Sequence, residues 1–341
     1  MRPYLLKGHE RPLTFIKYNR EGDLFISTAK DHHPTAWYAD TGARLGTYIG
    51  HNGTCWTSDI SYDSKLLVTG SADQTVKLWE LETGECRYTF PFETPARSVN
   101  FSLGETRCLV TTDPFMGTPS QIHMLPIASN VDDQTSERLF TLEGPKGRIQ
   151  RALFGPNDKT FVTGGEDGTI RLWDTESGKV LVEDEVHKKN ITSMSIHADG
   201  THFITTSVDK TAKIFCMKTL KCLKVFTTER PVNAASLSSI FDHVILGGGQ
   251  DASQVTTTSS KAGGFESKFY HKVFGEEFAS VRGHFGPVNT VAYSPDGRSF
   301  VTGGEDGYIR LQHFDADYFK IDRALGYEAA YQRFRSGGGE Q

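Results

Sequence analysis

Gly164-Gly165-Glu166-Asp167-Gly168-Thr169-Ile170-Arg171-Leu172-Trp173-Asp174 is the most telling stretch of this chain. An apolar segment ends on two glycines, an acidic turn reverses the backbone, and a strand of alternating character runs to a tryptophan. Period two in Thr169–Trp173 puts successive side chains on opposite faces of a sheet. The turn aspartate recurs as Asp31, Asp73, Asp113, Asp167, Asp209, Asp251 and Asp306, at intervals of 42, 40, 54, 42, 42 and 55 residues. A repeat of 40–45 residues built from four strands is the signature of a propeller blade. Seven such units take up nearly all of the 341 residues. They predict one closed ring instead of the two domains that length alone suggests. A single blade leaves its apolar faces uncovered, so the units must cover one another.

Blade two shows the grammar most completely. Gly50-His51 opens it, Trp56–Tyr62 reads as an inner strand, and Leu66–Gly70 follows. Ala72-Asp73-Gln74-Thr75 is the turn, Val76–Trp79 the third strand and Cys86–Phe90 the outer one. Asp73 is placed to accept turn amides and the imidazole N–H of His51, with Ser71 or Thr69 and the Trp79 indole completing the network. Blade one repeats Gly8-His9, Asp31 and Trp37, and blade five keeps His187 and Asp209 with Phe215 at the Trp position. Blade seven has His284, Asp306 and Gln312. Asp113–Gly117 and Ala128–Glu137 enlarge blade three, and the stretch from Thr256 to Val281 reads as an insertion in blade six. The predicted fold is therefore all-β, a seven-bladed WD40 β-propeller over residues 1–316. Tyr4-Leu5-Leu6, an orphan strand, is expected to close blade seven and cover its edge. Residues 317–341 are read as a short C-terminal helix with a flexible tail.

Composition removes several function classes. The net charge of −5 lacks the basic surplus by which phosphate backbones are neutralised, so no direct sequence-specific nucleic-acid binding is expected. No apolar run approaches the ~18 residues of a membrane span, and Met1–Lys7 has no signal-peptide core. Five cysteines with no C-x-x-C pair point to reduced thiols in the cytosol or nucleus. His9, His51, His187 and His284 recur one per blade instead of clustering, so no metal is assigned to them. Gly247-Gly248-Gly249 lacks the P-loop pattern, and no cofactor is expected. Glu166-Asp167 and Glu305-Asp306 resemble paired catalytic carboxylates. Their recurrence in homologous turns makes them structural, and no Gly-x-Ser-x-Gly elbow occurs. The chain reads as a non-enzyme.

Two features stand outside the repeat consensus. Trp56 lies near the start of an inner strand where a rim opens, fit either to anchor a partner or to pack in the channel. Phe265, Phe269, Tyr270, Phe274 and Phe278 gather aromatic area in the blade-six stretch, part of it read as an interaction surface.

Met1-Arg2-Pro3-Tyr4-Leu5-Leu6-Lys7-Gly8-His9-Glu10-Arg11-Pro12-Leu13, Leu246–Ala252 with Val255–Ser259, and Gly264–His271 running on to Gly283–Val291 go beyond a generic propeller. They resemble subunit I of eukaryotic translation initiation factor 3, over residue 1 to about Phe319. The resemblance implies a non-catalytic cytoplasmic scaffold. Its expected partners within the factor are a C-terminal helix of the B subunit, lying on blades five and six, and a segment of the G subunit. Through the complex it also reaches the small ribosomal subunit. The resemblance carries the acidic contacts for that helix onto Asp209 and Glu229, of which Asp209 is also a repeat-turn residue. The alternative is a signalling adaptor for receptor kinases or phosphorylated tails. That reading calls for an Arg/Lys cluster on one rim, where the sequence shows only scattered basics such as Lys188-Lys189.

Overall fold

The computed structural model describes residues 3–145, 147–249 and 265–327. Among the described residues twenty-eight strands form seven four-stranded antiparallel sheets, the blades of a propeller. Blade two comprises Cys55–Ile60, Leu66–Ser71, Thr75–Glu80 and Cys86–Pro91, within a residue or two of the limits read from sequence. The first strands of successive blades pack against one another right round the ring, and that of blade seven, Val288–Tyr293, meets that of blade one, Leu13–Tyr18. These first strands wall the central channel. Pro3–Lys7 pairs antiparallel with Tyr308–His313 in the register Leu6↔Ile309, supplying the outer strand of blade seven.

Seven apolar clusters occupy the seven junctions between blades. Between blades two and three, Val68, Val76, Leu78 and Phe90 meet Val99, Phe101 and Val110. At the closing junction Leu6, Val301, Ile309 and Leu311 pack on Leu13, Ile16, Phe25 and Trp37. Burying one such side chain stabilises the fold by about 1.5–3 kcal/mol, and here each blade depends on its neighbour for that burial.

At five of the seven junctions a polar bond runs beside the apolar cluster. Thr14 Oγ1 donates to Cys55 O, Thr57 Oγ1 to Arg97 O, and Thr192 Oγ1 to Val232 O. Asn233 Nδ2 donates to Val288 O and Asn289 Nδ2 to Leu13 O. Each bond ties one first strand to the next and satisfies a buried carbonyl.

Blade six differs from the expectation. Its third and fourth strands are Glu266–His271 and Glu277–Arg282, so the aromatic stretch is blade, and the extra residues lie before it. Tyr270 faces Val244 just as Trp79 faces Leu67, which puts Tyr270 at the tryptophan position of its blade. Asp251 lies outside the described residues. At the C-terminus a 3-10 turn, Tyr318–Lys320, leads into a four-residue helix, Ile321–Ala324. The remainder of the predicted helix, beyond Tyr327, is outside the described residues.

Candidate partner-binding surfaces

The repeat aspartates are held by the fold. In blade two His51 Nδ1 lies 2.8 Å from Asp73 Oδ2 and His51 Nε2 2.7 Å from Thr69 Oγ1, while Trp79 Nε1 donates to that hydroxyl at 2.8 Å. An indole N–H can only donate, so Thr69 accepts from it and passes its own proton to Nε2. That leaves the imidazole proton on Nδ1, directed at the carboxylate. Thr69, not Ser71, is the hydroxyl of the network. The same chain runs through His9, Ser27, Asp31 and Trp37 in blade one. It recurs through His187, Thr205 and Asp209 in blade five, and through His284, Thr302 and Asp306 in blade seven. Burial alone would raise the Asp73 carboxyl. The bonds from His51, Thr75 and the Asn52 amide outweigh it and hold the group well below the usual carboxylate range. Asp209 is likewise lowered against burial, by Thr211 and His187. Its side chain is only 9% exposed, its oxygens turned to the ring and the turn amides instead of outward.

Asp167 and Asp113 sit in blades without this histidine. Asp167 pairs with Arg171 at 2.8 Å and Asp113 with Arg97 and Arg148.

The channel entrance assembles residues far apart in sequence. In every blade the second residue of the first strand is a β-bulge, left over between two paired neighbours: Thr14, Trp56, Arg97, Gln150, Thr192, Asn233 and Asn289. A bulge re-aims its side chain, and all of these but Asn233 line one chamber together with Lys30, Arg151 and Glu305. Trp56 is one of them, half-buried with the Arg97 guanidinium 3.8 Å above its ring. Lys30, Arg97 and Arg151 thus form the basic cluster that the linear sequence hides.

Between blades five and six lies a shallow pocket lined by Thr228, Glu229, Pro231, Gly248, Glu266 and Lys268. Glu229 is exposed at its mouth. Lys268 is held by Glu277 at 2.9 Å, and Arg282 by Glu266 at 2.9 Å. Phe265 is half-buried beside Gly249. The aromatic surface is otherwise corrected by the structure. Phe269 and Tyr270 are 1% and 6% exposed, packed in the six–seven and five–six junctions as inward residues of a strand.

The C-terminal segment docks on blades six and seven. Tyr318 stacks on Phe314 with ring centroids 3.7 Å apart, and its hydroxyl lies 2.7 Å from His243 Nδ1. His243 Nε2 lies 2.8 Å from Asp322 Oδ1, and Tyr327 stacks on Phe274. His197, Asp199 and His202, in a blade-five turn, are the one group among the described residues with metal-ligand spacing. The two imidazoles stack at 4.3 Å and 20°, so their in-plane lone pairs run nearly side by side. An ion there would require one ring to turn, and the group reads as a hydrogen-bonded turn. Among the described residues no helix is long and apolar enough to cross a membrane.

The family model EIF3I matches residues 1–323. The proteins named eukaryotic translation initiation factor 3 subunit I from Drosophila melanogaster and Culex quinquefasciatus are each 46% identical to this chain, over 323 and 326 residues. That of Drosophila grimshawi is 47% identical over 323 residues. In all three the match covers 94% of this chain and 99% of the relative. With its WD40 propeller, its ring closed by the first strand and this likeness along almost its full length, the chain belongs to the eukaryotic translation initiation factor 3 subunit I family.

Proposed function

We propose that this protein is a non-catalytic cytoplasmic scaffold of the initiation factor 3 complex. In this reading it receives a basic helix at the C-terminus of the factor's B subunit on blades five and six. It binds a segment of the G subunit elsewhere on the ring, and supports initiation on the small ribosomal subunit through the complex. The observation that carries the site is Glu229. It stands exposed at the mouth of the five–six pocket, and among the described residues no cation pairs with it. The neighbouring Lys268 and Arg282 are held by Glu277 and Glu266, which leaves the Glu229 carboxylate, beside Arg230 in the pocket lining, to meet a partner's cation. Complementary charge of this kind sets register and association rate.

Glu229→Lys reverses that charge without touching a packed side chain. Binding of the B-subunit helix, read by fluorescence anisotropy at low salt, should weaken about tenfold, or ~1.4 kcal/mol, with thermal stability unchanged. Binding equal to that of the unsubstituted protein removes Glu229 from the site. Asp209 acts through the fold: Asp209→Ala is expected to lower stability together with affinity, because it strips the acceptor from His187 and two turn amides.

A further inference from the structure

Among the described residues Arg151 is a buried cation with no counter-charge. It is the third residue of the first strand of blade four, where five of the other six blades carry a small residue: Thr57, Ser98, Ser193, Ala234 and Thr290. The sixth, Phe15 of blade one, stands across the ring, and the Arg151 guanidinium lies 4.1 Å from the centre of its ring. Arg151 is only 9% exposed. Among the described residues no carboxylate is within ion-pair distance, and its Nε has no hydrogen-bond partner. Burial, and then the like charge of Arg97, push the guanidinium down to about 9. An aromatic face returns only part of what desolvating a cation costs.

The surroundings supply donors. Arg151 lines the entrance chamber, of about 240 Å³, with Gln150, Thr192, Trp56 and Lys30. Among the described residues the buried indole N–H of Trp56 has no hydrogen-bond partner. Lys30 faces Glu305 at 3.4 Å and Arg97 is taken by Asp113, which leaves Arg151 as the uncompensated charge.

We propose that the entrance of the central channel is a binding site for a single oxyanionic group, a phosphate or carboxylate, seated on the Arg151 guanidinium with donors from Gln150 and Trp56. A planar guanidinium offers two parallel N–H groups that match the two oxygens of such a group. The oxyanion arrives either as a free ion or on an acidic side chain entering the channel.

Isothermal titration calorimetry of the full chain, exchanged into phosphate-free buffer, tests both sources. One arm uses inorganic phosphate; the other uses a capped pentapeptide with a central glutamate. Saturable binding of phosphate identifies a free-ion site, and binding of the peptide alone identifies a side-chain site. In either case Arg151→Met, which keeps the apolar stem, should weaken binding at least tenfold, with Arg151→Lys in between. Without ligand, Arg151→Met should melt at or above the unsubstituted protein, since it removes a buried charge. If that variant does not fold, Gln150→Leu carries the comparison, with weaker binding of the same ligand expected. Failure of both ligands to bind, or undiminished affinity in the foldable variant, overturns the proposal.

Discussion

Asp73→Ala and Asp167→Ala remove the same side chain from the same turn of two blades, and the structure assigns them different costs. Asp73 accepts from His51 Nδ1 at 2.8 Å, from the amides of Asn52 and Thr75 at 2.9 and 3.0 Å, and from Thr75 Oγ1 at 2.6 Å. Its loss strands the N–H of an imidazole whose side chain is 0% exposed. An unsatisfied buried donor costs about 1–3 kcal/mol, and each bond to a charged acceptor about 1.5–3 kcal/mol before water replaces part of it. With the turn amides able to recruit water, the sum is about 3–4 kcal/mol. Asp167 has no histidine to satisfy. Its side chain is 26% exposed, accepting from the Thr169 amide and from Arg171. A surface ion pair contributes about 0–1 kcal/mol, so Asp167→Ala should cost about 1–1.5 kcal/mol. Urea unfolding followed by tryptophan fluorescence reads the two differences as midpoint shifts at a shared slope. Adding His51→Ala to Asp73→Ala should cost little more, because the two residues act as one unit. Equal costs for the two aspartates, or the reverse order, would refute the account of the hydrogen-bonded chain.

Acid should loosen the ring well above the carboxylate range. Burial, reinforced by Arg138, drives His123 down to about 3, and burial with His197 and Lys272 drives His202 down to about 4. The unfolded chain takes up these protons below about 6.5 while the folded chain resists, so stability falls as pH drops from 6.5 toward 4. At pH 5 the buried His123 alone should cost ~2 kcal/mol, seen as a lower melting temperature than at pH 7. A flat profile between pH 7 and 5 would contradict this. His243 is also lowered, by burial in spite of Asp322, so the C-terminal segment should lose amide-exchange protection, taken relative to the intrinsic rate at each pH, as pH falls below about 6.5. Removing residues 1–7 should uncover Tyr308–His313 and the Leu6 site, giving a protein that aggregates on gel filtration. A monodisperse, equally stable truncation would show that the ring does not need this strand.

Much of this architecture is legible without coordinates because local chemistry repeats. The turn aspartates, the histidines placed 22 residues before Asp31, Asp73, Asp209 and Asp306, and the strand tryptophans recur at fixed offsets. The exceptions have physical reasons. In blade six the extra residues precede the third strand, which displaces Phe269 and Tyr270 from the positions that the repeat spacing assigns them. Their place opposite Ile245 and Val244 follows only from pairing. The entrance cluster is hidden for another reason. Lys30, Arg97 and Arg151 belong to blades one, three and four, and only closure of the ring brings them together. One signal is present in the sequence: the residue after the first apolar position of each inner strand breaks the alternation in all seven blades. Asp113 departs from the histidine pattern because Arg97, itself a bulge residue, supplies its partner.

The strand that completes blade seven has a consequence for biosynthesis. Leu6 and Ile309, paired in the finished ring, are 303 positions apart. At about 5–20 residues per second, the nascent chain waits on the order of 15–60 s between making the two. Until then the emerging N-terminus has no mate, and the blades formed so far make an open arc with an uncovered face at each end. Circularisation is thus a late event, possible only once the strand around Ile309 has been made.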